Sequence, residues 1–204
     1  MSGKQQKANN TNIRVNDFVR FQKEQGWTDR QAEQGYNNRR QLAGDCHRYH
    51  ELYTANERVY NMLTSFTTVN PTKDQPNKKT MDLILWNKPE KNDFAFAEEV
   101  SVLREGATNE TRRPDIVIYV NGIAVAILEL KRAAVSVAEG IRQSYRNQQD
   151  GNIPSFFTTI QLVLAGNESE GLYYGTIKTP EKHFTKWKEP CGEAENADTY
   201  TSDF

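Results

Sequence analysis

Hydrophobic and polar positions along the chain change their period near residue 80. Between Asn16 and Ser65, apolar residues recur at intervals of three and four, which is typical of amphipathic helices. Gly26 interrupts this pattern, and residues 30–63 are predicted to form a longer helical region. The polar stretch 70–79 contains two prolines and predicts a loop.

Beyond residue 80 the pattern favours strands. Apolar runs rich in β-branched and aromatic residues predict four strands, at 81–86, 94–103, 115–120 and 123–130. A helix is predicted at 136–149, followed by strands at 156–166 and 171–177 and a last helical turn at 179–187. This order predicts an α/β fold with a central mixed β-sheet flanked by helices.

Composition predicts one polar domain with frayed ends. The 204 residues are 36% hydrophobic and 26% charged, which suits a single domain with a modest core. Residues 1–12 hold two lysines and no acid and are expected to be disordered. The folded domain is expected at 13–188, with helices in 13–65 and the sheet core in 81–188. Residues 189–204 contain five acids and neither Lys nor Arg, which predicts an acidic linker.

Charge, cysteines and hydropathy limit the possible functions. Without residues 189–204 the chain has 26 basic against 27 − 5 = 22 acidic residues, which is compatible with a nucleic-acid surface. Cys46 and Cys191 are too far apart to suggest a zinc or redox pair. The sequence shows neither a membrane span nor a signal segment, so a cytoplasmic location is expected. It also lacks a phosphate-binding glycine loop, so an ATP-driven step is expected to belong to another chain or to an absent part.

The stretch RRPDIVIYVNGIAVAILELKR, residues 112–132, places charged residues at the ends of an apolar hairpin. Asn121-Gly122 between two β-rich runs is a strong hairpin signal. Asp115 lies near the first end, and Glu129 and Lys131 lie near the last. A charged group enters a core only when it is paired or binds a metal. The stretch therefore indicates either a buried ion pair, such as Asp115 with Lys131, or a metal site.

The length of the hairpin loop decides whether the two acids share a face. A two-residue loop at Asn121-Gly122 puts Asp115 and Glu129 on opposite faces of the sheet. A three-residue loop that includes Val120 makes them diagonal neighbours on one face, about 7–8 Å apart. Alternatively, Pro114 lets Asp115 leave the ladder at the start of its strand. A metal site at this hairpin thus requires an odd-numbered loop or an Asp115 outside the ladder.

Converging acids at this position predict a magnesium site. Two carboxylates with a main-chain carbonyl, at Leu130, and water molecules are the hard oxygen ligands that Mg²⁺ prefers. Lys131 lies on the same face of its strand as Glu129, where it can orient an attacking water or take its proton. The three side chains together indicate metal-assisted hydrolysis of a phosphodiester.

Pro114-Asp115 followed by Glu129-Leu130-Lys131 resembles the PD-(D/E)xK nuclease motif. More narrowly, NDFAFAEEVSV and residues 112–132 resemble the N-terminal nuclease domain of type I restriction endonuclease R subunits (HsdR), and further likeness extends over roughly 56–187. The resemblance implies a restriction-endonuclease-like core and Mg²⁺-dependent cleavage of double-stranded DNA. It also implies a longer parent chain whose motor domains use ATP to translocate DNA, with methyltransferase (M) and specificity (S) subunits as partners.

The resemblance also implies roles for residues outside the hairpin. Gln143 matches the glutamine of a Gln-x-x-x-Tyr motif, but Asn147 stands where that motif has tyrosine, so the tyrosine's role stays open. Many nucleases of this class use a further glutamate from a preceding helix, and Glu51 and Glu57 are both candidates.

Several other charged residues are candidates for the site on their chemistry and position alone, without the resemblance. Glu98 or Glu99, if directed inward, is a possible third ligand. Four arginines are candidates for DNA contact: Arg112, Arg113, Arg142 and Arg146. A stand-alone repair nuclease, or a degenerate domain of this superfamily that binds DNA without cutting it, is the alternative function.

Overall fold

The computed structural model describes residues 12–43, 46, 48–73, 76–77 and 79–188, and of residues 39–43 the backbone only. Its four helices are α1 (Val15–Glu24), α2 (Asp29–Ala43), α3 (Tyr49–Thr64) and α4 (Val137–Asn147). Short 3-10 turns lie at Pro89–Lys91, Pro154–Thr158 and Glu181–His183. The strands are β1 (Thr67–Thr68), β2 (Thr80–Met81), β3 (Phe94–Glu98), β4 (Val102–Leu103), β5 (Thr111–Arg112), β6 (Ile116–Val120), β7 (Ile123–Leu130), β8 (Leu162–Asn167), β9 (Gly171–Gly175) and β10 (Thr185–Lys186).

Six strands form the central sheet in the order β10-β9-β8-β7-β6-β3. The β7–β8 pair is parallel, with α4 as its crossover, and the other pairs are antiparallel. The predicted α/β fold with a central mixed sheet is therefore confirmed. Of the helices described, none is both long and apolar enough to cross a bilayer.

The main core lies between one face of the sheet and the helical layer. Val117, Ile127 and Val163 project from β6, β7 and β8 into a cluster that also contains Leu52 of α3 and Phe156. A second cluster surrounds the turn between β6 and β7 and includes Phe18, Val59, Met62, Leu83 and Ile123. The two clusters hold the β6–β7 hairpin along its length, which is the segment that carries the predicted site.

The N-terminal segment is part of the fold from Asn12 onward. Asn12 is buried, and its Nδ2 donates to the carbonyls of Ser155 and Phe156 at 3.2 and 3.1 Å. Ile13 bridges to Ile123, which adds a short strand-like contact beside the hairpin. The expectation of disorder is thus wrong for Asn12, because its side chain satisfies buried carbonyls. The expectations for residues 1–11 and 189–204 lie outside the described residues.

The predicted helical region at 30–63 is divided into two helices. α2 ends at Ala43 and α3 begins at Tyr49, so the helical character predicted for 30–63 is confirmed and is shared by two helices. The first amide of α3, that of Tyr49, donates to Asp150 Oδ1 at 2.5 Å. This cap comes from a residue distant in sequence, so the local pattern does not reveal it.

The predicted strands at 81–86 and 156–166 form only in part. β2 ends at Met81, after which the amide of Leu85 donates to Asn92 Oδ1 at 2.8 Å. Residues 154–158 form a 3-10 turn, and Asn56 Nδ2 donates to the carbonyls of Phe157, Thr158 and Ile160. Side-chain amides replace a strand ladder in both segments and allow irregular backbone to be buried. The predicted strand 94–103 is likewise interrupted, because Glu99 has a φ of 51°.

The β6–β7 turn is fixed by a buried asparagine network. Asn121 and Gly122 have φ values of 52° and 78°, which matches the two-residue I′ turn that Asn-Gly favours. Asn121 Nδ2 donates to the carbonyl of Leu83 and to Asn92 Oδ1, both at 2.8 Å, and its Oδ1 accepts from the amide of Asp93 at 2.8 Å. The turn is therefore bonded to the 83–93 segment and not only to its own strands.

We predict that Asn121→Ala lowers the free energy of unfolding by roughly 3 kcal/mol or more. The change removes buried hydrogen bonds and places alanine, whose Cβ disfavours positive φ, at this position. Asn121→Gly tolerates that φ and should lose less. Asn87→Ala, an exposed matched control, should be neutral. Urea unfolding followed by circular dichroism measures all three, and equal stabilities for the two Asn121 variants would contradict the strain argument.

Candidate active site

A β-bulge in the β6–β7 hairpin brings Asp115 and Glu129 to the same place. Next to the turn, Val120 pairs with Ile123 and Tyr119 with Ala124, as in a regular two-residue hairpin. The next pair is Ile118 with Ala126, so Val125 is an extra residue on β7. The shifted register pairs Ile116 with Leu128, and one step further it sets Asp115 opposite Glu129.

Of the two routes that the sequence left open for a metal site, the odd-numbered loop is therefore wrong. The turn has two residues, and the additional residue that reverses the facing of the strand lies within β7, at Val125. Asp115 precedes β6 by one residue, but its carbonyl still accepts from the amide of Glu99 at 2.8 Å, so it stays beside the sheet. A bulge has the same effect on register as one more loop residue, because side chains alternate with a period of two.

Glu129 is the most deeply buried acid of the site. Its side chain has 0% exposure, and its Oε2 accepts from Gln143 Nε2 at 2.7 Å. Its Oε1 is buried and receives no hydrogen bond from an N–H group of the described residues, although a proton held by Glu129 can bond to Asp115. Burial, and then repulsion from Asp115, raise the pKa of Glu129 to about 8, although Lys131 acts in the opposite direction.

Asp115 is held by the strand that carries its partner. Its Oδ2 accepts from the amide of Leu130 at 2.7 Å. This bond ties the carboxylate to the segment between Glu129 and Lys131. The contacts of Asp115 therefore differ from those expected of a buried ion pair with Lys131, which was the alternative for this hairpin.

Gln143 joins the lysine and the buried glutamate through one amide. Lys131 Nζ donates to Gln143 Oε1 at 2.8 Å and lies 3.9 Å from Glu129 Oε2. Because the Nε2 of the same amide donates to Glu129, the amide has its oxygen toward the cation and its nitrogen toward the anion. The predicted set of Asp115, Glu129, Lys131 and Gln143 is thus brought together.

Gly140 lets α4 approach the strands closely enough for these bonds. A Cβ on Gly140 would lie 3.1 Å from Ala165 Cβ and 3.5 Å from both Cβ and the carbonyl oxygen of Glu129. Gln143 follows one turn later on the same helix and therefore reaches Glu129. A glycine inside a predicted helix is a signal that sequence analysis can use, but it does not identify the contact.

The site fits a divalent cation through its oxygen atoms. Two facing carboxylates, one of them with an unsatisfied buried oxygen, form the hard donor set of such an ion. Within the described ranges, acids, histidines and cysteines form no group of three that could hold a metal. The role of the Leu130 carbonyl as a further ligand stays a prediction.

The other acids considered for the site lie elsewhere. Glu51 and Glu57 are exposed on α3, and Glu51 is within 3.6 Å of His50. Glu98 is exposed on β3, and Glu99 is turned by its positive φ toward Arg113, 3.4 Å from it. The described structure therefore brings neither a helix glutamate nor a third strand acid to Asp115 and Glu129.

An arginine-rich pocket adjoins the catalytic candidates. It has a volume of about 390 Å³ and is lined by Arg112, Arg113, Gln143, Arg146, Asn147, Gln149 and Asn152. Gln143 belongs both to this wall and to the carboxylate site. Arg142 instead pairs with Glu139 and Glu181, at 2.7 Å each. Three of the four arginines considered for DNA contact thus share one pocket.

Asn147 stands at the position where the Gln-x-x-x-Tyr motif has its tyrosine. Asn147 is buried and lines the arginine-rich pocket. Tyr145 lies on another side of α4, where its hydroxyl accepts from the hydroxyl of Tyr49 on α3 at 2.8 Å. Tyr145 therefore packs between helices and does not replace the tyrosine at the pocket.

Comparisons with known proteins identify the family of the chain. The chain matches the family described as type I restriction enzyme R protein N terminus over residues 3–182. It is also 28% identical over 122 residues to a Methanocaldococcus jannaschii protein with the provisional name type I restriction enzyme MjaIXP endonuclease subunit. That match covers 57% of this chain and 11% of the relative, so the chain spans about a tenth of the relative's length. The resemblance to R subunits is confirmed, and the chain belongs to the family of type I restriction enzyme R protein N termini.

Proposed function

We propose that the chain is the endonuclease domain of a type I restriction enzyme R subunit and hydrolyses phosphodiester bonds of double-stranded DNA with Mg²⁺. The observation that carries this proposal is the meeting of Asp115 with the buried Glu129. Without an ion, the two acids can be accommodated only by sharing a proton, and a bound cation would replace that proton.

Asp115, Glu129 and the Leu130 carbonyl are the residues that would hold the ion. Once bound, Mg²⁺ supplies an activated water and neutralises charge that develops on the phosphate. Binding requires an ionised Glu129, and the raised pKa of this group means that a proton is released in exchange.

Lys131 takes part in proton transfer, and Gln143 orients the side chains around it. Lys131 Nζ is positioned by the Gln143 amide beside Glu129, so it can donate to a water or phosphate oxygen between them. Gln143 bonds both partners and restricts their rotamers, which limits the entropy lost when substrate arrives. We assign Lys131 to the attacking water and Gln143 to positioning.

The arginine-rich pocket is proposed as the binding site for backbone phosphates. Arg113 and Arg146 line it beside Gln143, and Arg112 is oriented there by a 2.9 Å bond from its Nε to Asn152 Oδ1. Guanidinium groups suit phosphates because they donate two parallel hydrogen bonds. Contacts of this kind position DNA without reading its sequence.

Cleavage is proposed to depend on the rest of a larger enzyme. ATP-driven translocation belongs to motor domains beyond this chain, and methyltransferase and specificity subunits are the proposed partners, in the cytoplasm. With a formal net charge of −1, the chain alone has little electrostatic affinity for DNA. We therefore expect the isolated chain to cut DNA poorly.

We predict that Mn²⁺, used as a probe for Mg²⁺, binds the wild-type chain and not Asp115→Asn or Glu129→Gln. Below pH 8 the affinity should rise about tenfold per pH unit, because the ion displaces one proton from Glu129, whose pKa is about 8, and it should level off above that pH. Titration calorimetry in two buffers also measures the released proton. Glu90→Gln, an exposed control, should bind like wild type. A folded wild-type chain that takes up no ion would favour the degenerate DNA-binding alternative.

In the complete restriction enzyme, Asp115→Ala, Glu129→Ala and Lys131→Ala should each reduce DNA cleavage by about 10²-fold or more, since each removes part of the metal or proton-transfer machinery. ATP hydrolysis should persist, because it belongs to other domains. Lys91→Ala is the exposed control for the lysine change. Gel assays of cleavage and a phosphate-release assay follow the two activities, and retained cleavage in an assembled enzyme would refute the assignment.

Arg113→Ala and Arg146→Ala should each weaken DNA binding by the complete enzyme to a similar degree for all sequences. Each should lower the slope of log affinity against log salt by about 1, because one phosphate contact is lost. Arg142→Ala is the matched control, since that guanidinium does not line the pocket and is held by Glu139 and Glu181 at 2.7 Å, whereas Arg113 lines the pocket and lies 3.4 Å from Glu99. Fluorescence anisotropy at several salt concentrations provides the test, and equal effects of all three changes would show that the pocket is not the contact.

A further inference from the structure

The arginine-rich pocket contains a buried side-chain amide that is available to a ligand. Asn147 is only 3% exposed, and its side chain has no hydrogen-bond partner among the described residues. The amide atoms are not sealed within the protein and open onto the pocket that Asn147 lines. Its backbone carbonyl accepts from the amide of Ile153 at 3.0 Å, which holds the residue in place. Because buried amides are nearly always hydrogen-bonded, this one suits a polar molecule in the pocket.

Arg112 is held in the same pocket by a neutral group. Its Nε donates to Asn152 Oδ1 at 2.9 Å, and it forms no ion pair with a carboxylate of the described residues. Arg142, in contrast, is bonded to Glu139 and Glu181, which offset its charge. An amide fixes a guanidinium without cancelling its charge, so the two terminal nitrogens of Arg112 remain available for an anion.

Asn152 is itself bonded to two segments of the chain. Its backbone amide donates to the carbonyl of Gln149 at 3.0 Å, in the loop after α4. Its backbone carbonyl accepts from the amide of Glu105 at 2.8 Å, in the turn between β4 and β5. These bonds set the orientation of Arg112 before a ligand arrives, which reduces the entropy lost on binding.

One face of α4 connects the pocket to the catalytic candidates. Gln143 and Asn147 are four residues apart and therefore lie on the same side of the helix. Gln143 bonds Lys131 and Glu129 at 2.8 and 2.7 Å, and it also lines the pocket. An anion beside Asn147 is thus one helical turn away from the groups proposed to act on the scissile phosphate.

We infer that Arg112 and Asn147 form a subsite for the phosphodiester group next to the scissile one, and that Asn152 is the positioning residue for Arg112. Arg112 supplies charge and paired donors, and the Asn147 amide donates a further hydrogen bond to a phosphate oxygen. The volume of about 390 Å³ exceeds that of one phosphate and leaves room for the adjoining sugars. The inference rests on the proposed function, because it takes DNA as the substrate.

The salt dependence of DNA binding by the complete enzyme separates these roles. Arg112→Ala should weaken binding and lower the slope of log affinity against log salt by about 1, because a charged contact is lost. Asn147→Ala should weaken binding about 3- to 10-fold with an unchanged slope, because it removes a neutral donor. Asn87→Ala, an exposed control, should change neither quantity. Fluorescence anisotropy measures affinity and slope together.

Two changes at Asn152 test positioning against a merely structural role. Asn152→Ala should weaken binding with the slope unchanged, since Arg112 keeps its charge and loses its orientation. Asn152→Asp keeps an acceptor for Arg112 Nε but offsets the charge, so it should lower the slope as Arg112→Ala does. A structural role alone would give both variants the same slope.

Nuclear magnetic resonance of the unaltered 204-residue chain tests the contacts independently of how any variant folds. A short DNA duplex at high concentration should shift the side-chain amide signal of Asn147 and the Nε–H signal of Arg112. A duplex with a neutral methylphosphonate backbone should shift neither, because a charged phosphate is the ligand. The Nε–H signal of Arg142, which is paired with acids, serves as the control.

Four results would overturn the inference. Shifts caused by inorganic phosphate and not by the duplex would assign the pocket to a free anion. A loss of affinity in Asn147→Ala that depends on DNA sequence would assign the amide to a base edge. Unchanged binding by Arg112→Ala would remove the subsite, and equal slopes for the two Asn152 variants would remove the positioning role. Failure of the wild-type chain to bind Mn²⁺ would instead count against the proposed metal site alone.

Discussion

The approach of two like charges, Asp115 and Glu129, is the interaction around which the rest of the site is organised. A buried carboxylate beside another acid is unfavourable unless a proton or a cation compensates it, and the pKa of about 8 for Glu129 expresses this. Lys131 lies at 3.9 Å and offsets it only in part. Gln143 bonds both, and Gly140 allows the helix to bring Gln143 there. These contacts differ from those of a self-contained ion pair, and they support the proposed cation site.

The two faces of the sheet carry different tasks. One face is covered by α3 and α4 and presents the carboxylates and the arginine-rich pocket at the edge of the helical layer. The other face carries the exposed rings of Phe94 and Phe96, and the end beside Phe94 is lined by Tyr60 and Leu63 of α3.

The hydrophobic pattern predicts elements most accurately where packing and local preference agree. Both strands of the hairpin, its Asn-Gly turn and the α4 helix were predicted nearly to the residue, because apolar runs and turn chemistry act locally. It was wrong at 81–86 and in the first half of 156–166, where Asn92, Asn121 and Asn56 bond the backbone from afar. Propensity cannot anticipate the bonds of Asn121 and Asn56, since these residues are distant in sequence from the carbonyls to which they donate.

The sequence by itself determined the chemical types present and their approximate places: two acids, a lysine and a glutamine around one apolar hairpin and the helix after it. Only the tertiary structure decided that the acids meet. The bulged residue Val125 shifts the register of β7 by one, so that the side chains beyond it point to the other face of the sheet. A bulge within an apolar run cannot be recognised from the sequence pattern. It also decided which arginines share the pocket, since Arg142 is drawn away by Glu139 and Glu181. Register and long-range pairing depend on contacts between distant segments, and these exist only once the chain is folded.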